Sequence, residues 1–210
     1  MTKILNGLKP AGLWNHFENL CAIPHPSNHE EKIREHIVAW AKGIGLETIV
    51  DEVGNVIIRK PATSGMENRK GIVLQGHIDM ICNINKDKDP IIPRIDGKWV
   101  EATGTTLGAD NGIGVAAIMA VLEATDLVHG QVEALFTIDE EGGMNGAKGL
   151  KSGVLTGDFL LNLDSEEEGK LFIGCAGSTH ANITFQYTEE PAPANSEALE
   201  SFGGEIKMLD

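Results

Sequence analysis

Residues 71–80 read GIVLQGHIDM, and the change of character inside this stretch decides the fold. Its first half, Gly71–Gln75, is a short, nearly continuous apolar run, the pattern of a strand in the middle of an α/β sheet. Its second half brings His77 and Asp79 just beyond the strand's carboxyl end, where loops of open α/β sheets carry polar groups above a rigid scaffold. The arrangement recurs downstream. Val132–Thr137 is followed by Glu140 and Glu141, and Phe159–Leu163, a second buried-type strand, by Asp164. Asp110 stands just before Asn111–Ala124, a run rich in Ala, Ile, Met and Val that reads as a helix.

On the N-terminal side, Ala11–Ile23 carries Leu13, Phe17 and Leu20 at helical spacing, and Pro24 and Pro26 end that helix by removing amide donors. Ser27 with Glu30 forms a capping-box signature for a second helix, whose stripe of Ile33, Ile37, Trp40 and Ala41 runs up to Gly43 and Gly45. Glu47–Val50 and Val56–Arg59 read as strands about a Gly54–Asn55 turn, and Met144–Leu150 as a short helix. Leu171–Cys175 and Ala181–Tyr187 read as a hairpin about Ala176-Gly177-Ser178. The stretch EEPAPANSEALESFGGEIKMLD has no sustained period and reads as a flexible tail or the truncated start of something else. The expectation is an α/β fold with a mixed, largely parallel sheet and flanking helices over residues 1–187, with 188–210 as the tail.

Composition narrows the function. A chain of 210 residues with 41% hydrophobic residues suffices for one sizeable core. A formal net charge of -14 opposes a phosphate backbone and argues against nucleic acid. Cys21, Cys82 and Cys175 are far apart and form no CxxC pair, so neither a disulfide framework nor a thiolate zinc site is indicated, and a reducing compartment fits. There is no secretory h-region near the start and no apolar run near the ~20 residues of a membrane span, so the expectation is a soluble cytoplasmic protein without a membrane partner.

Imidazole and carboxylate oxygen are the ligands that zinc and manganese accept where thiolates are lacking. A single carboxylate after a strand is often only a helix cap or a solvated loop group, but the pattern here repeats in four segments. Without a cation, such converging carboxylates would repel one another. His77 and Asp79 point to the same side of an extended strand end, so Asp79 can brace the imidazole, or else cap a loop. Glu140 and Glu141 cannot share one direction, so one can ligate a metal while the other takes a proton from water; an acidic loop is the plainer alternative. Other apparent motifs fail. Asn85, Asp87 and Asp89 resemble a calcium loop, but Pro90 stands where the turn glycine is needed, leaving a solvated loop. GADNGIG does not follow GxGxxG, and there is no GxSxG elbow. His16, His25, His29, His36, His129 and His180 have no partner spacing and read as surface or packing residues.

The segments IPHPSNHEE (23–31), VLQGHIDM (73–80), GTTLGADNGIG (104–114), DEEGGMNGAKGL (139–150) and NLDSEEEG (162–169) together resemble aminoacyl-histidine dipeptidases, the cytosolic Xaa-His dipeptidases of the zinc-dependent aminoacylase and carboxypeptidase superfamily. The resemblance runs in the same order over roughly residues 10–190. It implies that His77, Asp110 and Asp164 hold one zinc, that Asp110 bridges to a second zinc bound also by Glu141, that Glu140 is the general base, and that Asp79 supports His77. Manganese or cobalt would be the substitutes. It also implies a cis peptide at Asp110–Asn111. The family's chains are much longer: they insert a lid used for dimerisation and closure, carry a GGHSG-like motif here reduced at best to Gly203-Gly204-Glu205-Ile206, and return to supply a further histidine ligand. The expectation is therefore the N-terminal part of such an enzyme, hydrolysing dipeptides of the Xaa-His type, with a truncated, catalytically weak or inactive metal-binding remnant as the alternative.

Overall fold

The computed structural model describes residues 3–81, 90–165, 167–175, 177 and 184. Residues 1–171 and 172–210 group into two units, and the architecture below belongs to the first. The described residues form three helices, α1 (Ala11–Cys21), α2 (Glu31–Gly43) and α3 (Ala109–Glu123), with two short turns of helix, α4 (Glu140–Gly143) and α5 (Asn145–Gly149). Five strands, β1 (Glu47–Val50), β2 (Val56–Lys60), β3 (Ile72–His77), β6 (Val132–Thr137) and β7 (Phe159–Asn162), form one sheet in the order β1-β2-β6-β3-β7. Strands β4 (Pro93–Asp96) and β5 (Trp99–Ala102) form a separate antiparallel hairpin.

The sheet is mixed. The β1/β2 and β2/β6 pairings are antiparallel, while β6, β3 and β7 run parallel, so parallel pairing is confined to the part of the sheet that carries His77. Period-2 alternation explains the core. Val56 and Ile58 face the helices with Leu74, Ala134 and Phe136, whereas Ile57 packs on the opposite face with Val73 and Leu135, against Leu150, Val154 and Leu155. Helices α1, α2 and α3 contribute to the first cluster through Phe17, Leu20, Ile33, Ile37, Ile118 and Met119. Each such side chain, fully buried, stabilises the fold by about 1.5–3 kcal/mol relative to exposure. Helix α3 is apolar on every side, as suits a helix held between α1 and the sheet, and a Cβ on Gly12 of α1 would already lie 3.5 Å from Ala120 Cβ.

Three expectations need correction, and one element was not foreseen. Ser27 does not cap α2: its hydroxyl donates to Asp79 Oδ2 at 2.8 Å, and Glu30 instead accepts the amides of Asn28 and Asp139. β7 is not buried. Phe159, Leu160 and Leu161 are 51%, 51% and 46% exposed, because among the described residues β7 pairs with β3 only and is an edge strand of the sheet. Leu171–Cys175 is not a strand, and its expected partner Ala181–Tyr187 lies, Thr184 apart, outside the described residues. The β4/β5 hairpin was not expected; Gly97, at φ 58°, makes its turn. The calcium-like residues Asn85, Asp87 and Asp89, and the boundary expected at residue 187, also lie outside the described residues. Among the described residues, no helix is long and apolar enough to cross a membrane.

Candidate metal centre

Parallel pairing brings the carboxyl ends of β3, β6 and β7 to the same edge, and each chain continuation delivers a polar group there. β3 ends on His77, β6 leads through Ile138 and Asp139 into α4 with Glu140 and Glu141, and Asp164 follows β7. Asp110 comes from the irregular first turn of α3, where it is extended (φ -90°, ψ 108°), and the Asp110–Asn111 peptide bond is cis.

His77 is the hub of the cluster. Its Nε2 lies 3.0 Å from Asp110 Oδ1, 3.7 Å from Asp164 Oδ1 and 4.0 Å from Glu140 Oε2. Two triples of donor groups share it, His77 with Asp110 and Asp164, and His77 with Glu140 and Glu141; within each, the donor atoms lie within 4.8 Å of one another. Asp110 and Glu141 also line a common pocket with Met80, Ile81, Thr106 and Leu107. All five groups read from the sequence are thus gathered at one edge of the sheet.

Asp79 does more than face the imidazole. His77 Nδ1 donates to the Asp79 backbone carbonyl at 2.9 Å and has Asp79 Oδ1 at 3.3 Å. The same buried carboxylate accepts the amides of Glu140 at 2.9 Å and Glu141 at 3.1 Å and the Ser27 hydroxyl. It therefore caps the start of α4 from a different segment, fixing the two glutamates relative to His77.

Electrostatics follow from this packing. Burial opposes the charge on His77, but the Asp164 and Asp79 carboxylates outweigh it and hold the imidazolium up to a pKa of about 11. Burial likewise opposes the Asp79 carboxylate, yet His77 and the donors from Glu140 and Ser27 bring it down to about 2. The hydrogen-bonding contact with His77 lowers Asp164. Glu140 and Glu141 are both raised, chiefly by burial, which favours the proton-bearing form. One imidazole ringed by carboxylates from four segments, with no thiolate among the described residues, is a donor set that suits a zinc, manganese or cobalt ion, and a cation in place of the Nε2 proton would satisfy the same carboxylates.

The supporting residues were not legible in advance. Asp139 is buried at φ 50°, donates its amide to Glu30 Oε1 at 3.0 Å, and accepts from the side-chain amides of Asn28 and Asn145. Glu30, Asp79 and Asp139 form a second buried carboxylate group, each hydrogen-bonded within the protein. IPHPSNHEE, one of the segments that carry the resemblance, supplies Ser27, Asn28 and Glu30. Of the histidines, His25 is buried, with Nδ1 2.5 Å from the Ile23 carbonyl and its pKa pulled down by burial; His16 is buried against Glu123; both are packing residues. The Cys21 thiol is buried and pushed up to about 12, which leaves it a poor nucleophile, and Cys82 and His180 lie outside the described residues.

Residues 73–206 match Peptidase family M20/M25/M40. The cytosol non-specific dipeptidase of Escherichia coli (strain K12) is 52% identical over 201 residues, which cover 93% of this chain and 41% of that protein. Among solved structures, an aminoacylhistidine dipeptidase from Vibrio alginolyticus is 55% identical with a TM-score of 0.76, over 79% of this chain and 35% of that one. The aminopeptidase PepT of Bacillus cereus ATCC 10987 is 27% identical with a TM-score of 0.66, over 74% of this chain and 43% of that one. The chain thus spans about two fifths of the length of these relatives.

Proposed function

The chain belongs to Peptidase family M20/M25/M40, and from that premise we propose that it carries the metal-binding part of a metal-dependent dipeptidase acting in the cytoplasm. The observation that carries the reading is the convergence of His77 with Asp110, Asp164 and Glu140, all within 4.0 Å of its Nε2, at the ends of parallel strands. His77, Asp110 and Asp164 would hold one divalent ion, with Glu141 and Asp110 contributing to a second; zinc is the favoured metal. Bound there, the metal supplies Lewis-acid polarisation of a peptide carbonyl and lowers the pKa of bound water toward ~7.

The chain's own residues do the rest. Glu140, whose carboxylate is partly buried and shifted toward the protonated form, takes the proton of the attacking water and returns it to the leaving amine. Asp79 orients His77 by its carbonyl and carboxylate and holds Glu140 by its amide, so the base and the imidazole keep a fixed separation. The substrate is a dipeptide. The name of the Vibrio relative speaks for aminoacyl-histidine dipeptides and that of the Escherichia coli relative for a broader range. The test is hydrolysis of Xaa-His and other dipeptides by the protein with zinc, after chelation, and after zinc is restored. Turnover that is lost on chelation and regained with zinc is expected; turnover indifferent to metal would overturn the proposal.

A further inference from the structure

We infer that Asn111 is a positioning residue of the metal centre, its side-chain amide fixing the Asp164 carboxylate toward His77. The inference rests on the reading of His77, Asp110 and Asp164 as a metal-holding group. Asn111 is 3% exposed, and its Nδ2 donates to Asp164 Oδ1 at 2.6 Å and to the Leu163 carbonyl at 2.7 Å. The oxygen that it grips is the one that faces His77 Nε2 at 3.7 Å.

The other end of the amide shows what the residue is for. Asn111 Oδ1 is buried and has no hydrogen-bond partner among the described residues. It lies against two glycines, Gly76 of β3 and Gly114 of α3, where a Cβ on either would approach to 2.5 Å. A buried acceptor without a partner costs free energy, and an apolar side chain of similar size would fill the slot without that cost. The return on placing an amide there lies in its two donations, both to the segment after β7. That segment needs a tie: among the described residues β7 is held to the sheet by β3 alone, so the loop bearing Asp164 hangs from an edge. Asn111 adjoins Asp110 in the chain, so its clamp sets the spacing between two groups contributed by distant segments, Asp110 from the start of α3 and Asp164 from beyond β7. With its oxygen packed against the two glycines, the amide turns its donors to Asp164 Oδ1 and the Leu163 carbonyl.

The experiment is calorimetric zinc titration of the full 210-residue chain and of Asn111→Ala, Asn111→Asp, Asp164→Ala and the Asn111→Ala/Asp164→Ala double variant, with metal-free circular dichroism of each. Asn111→Asp is nearly isosteric and exchanges the donor for an acceptor, so it separates lost orientation from lost packing. Both single Asn111 variants are expected to keep the metal-free spectrum and to weaken zinc binding by about 10- to 100-fold. In the Asp164→Ala background, Asn111→Ala should add little, because its effect travels through Asp164. Unchanged zinc affinity in both Asn111 variants, while Asp164→Ala weakens it, would overturn the inference alone. An equal loss from Asn111→Ala with and without Asp164 would do the same, as would loss confined to variants that lose their fold. Failure of the parent chain to bind zinc, or indifference of binding to Asp164→Ala, would overturn the metal-centre reading and the inference with it.

Discussion

His77 and Asp79 are joined twice over: the imidazole Nδ1 donates to the Asp79 carbonyl at 2.9 Å and faces its Oδ1 at 3.3 Å, while that same oxygen accepts the Glu140 amide. One buried carboxylate therefore sets the direction of the imidazole and the position of the residue proposed as base. Asp79→Ala would leave the Ser27 hydroxyl and the amides of Glu140 and Glu141 without their acceptor, at about 1–3 kcal/mol for each donor that water does not reach. A urea titration should show the lower stability, and a zinc titration an affinity reduced by about 10- to 100-fold. Full stability with full zinc affinity would remove Asp79 from this role.

Glu140 is proposed to move protons rather than hold metal. In Glu140→Ala, zinc content by elemental analysis should match the parent, while dipeptide turnover falls by about 100-fold or more. A variant that loses its zinc would make Glu140 a ligand, and one that keeps normal kcat would place the base elsewhere.

The proton on His77 gives a pH prediction with a definite sign. Its folded pKa of about 11 lies above the ordinary value of 6.5, so in the metal-free protein its contribution to stability is fully present below about pH 6.5 and is lost as pH rises through about 11. Zinc needs the neutral ring, so binding at neutral pH must expel about one proton, and affinity should rise by about tenfold per pH unit. Titrations in buffers of different ionisation enthalpy measure that proton directly. No release on binding would mean that His77 is not taken up by the metal.

A carboxylate at the other end of β6 serves as the contrast. Glu133 is fully buried, accepts Arg59 Nε at 3.0 Å and the amides of Thr156 and Gly157 at 2.7 Å, and belongs to neither donor triple at the centre. Glu133→Gln should lower stability by about 1–3 kcal/mol through the mispaired donors, with zinc affinity unchanged. A loss of zinc binding comparable to that of Asp79→Ala would show that general softening of the sheet, rather than the residues around His77, controls the site.

The sheet strands and the five groups at their ends were legible because each depends on local pattern: an apolar run of strand length, then His77, Glu140, Glu141 or Asp164, and Asp110 at a helix start. What was missed depends on partners far along the chain. Ser27 reads as a cap for its own helix until Asp79, 52 residues away, takes its hydroxyl. Asn111 reads as the first residue of a helix until Asp164, 53 residues away, takes its amide. The apolar run of β7 reads as buried because hydrophobicity reports what a strand is made of and not whether it stands at an edge. The β4/β5 hairpin was hidden by Pro90, Pro93 and several charges, which break the alternation that would have marked it.

A crystal of the zinc-loaded chain measured at the zinc absorption edge would show whether His77, Asp110 and Asp164 hold a metal ion. An anomalous peak is expected at about 2.0–2.2 Å from His77 Nε2 and from a carboxylate oxygen of both Asp110 and Asp164. It would be contradicted if, with zinc in excess, His77 Nε2 still donated to Asp110 Oδ1 and the anomalous signal lay away from the ends of β3, β6 and β7.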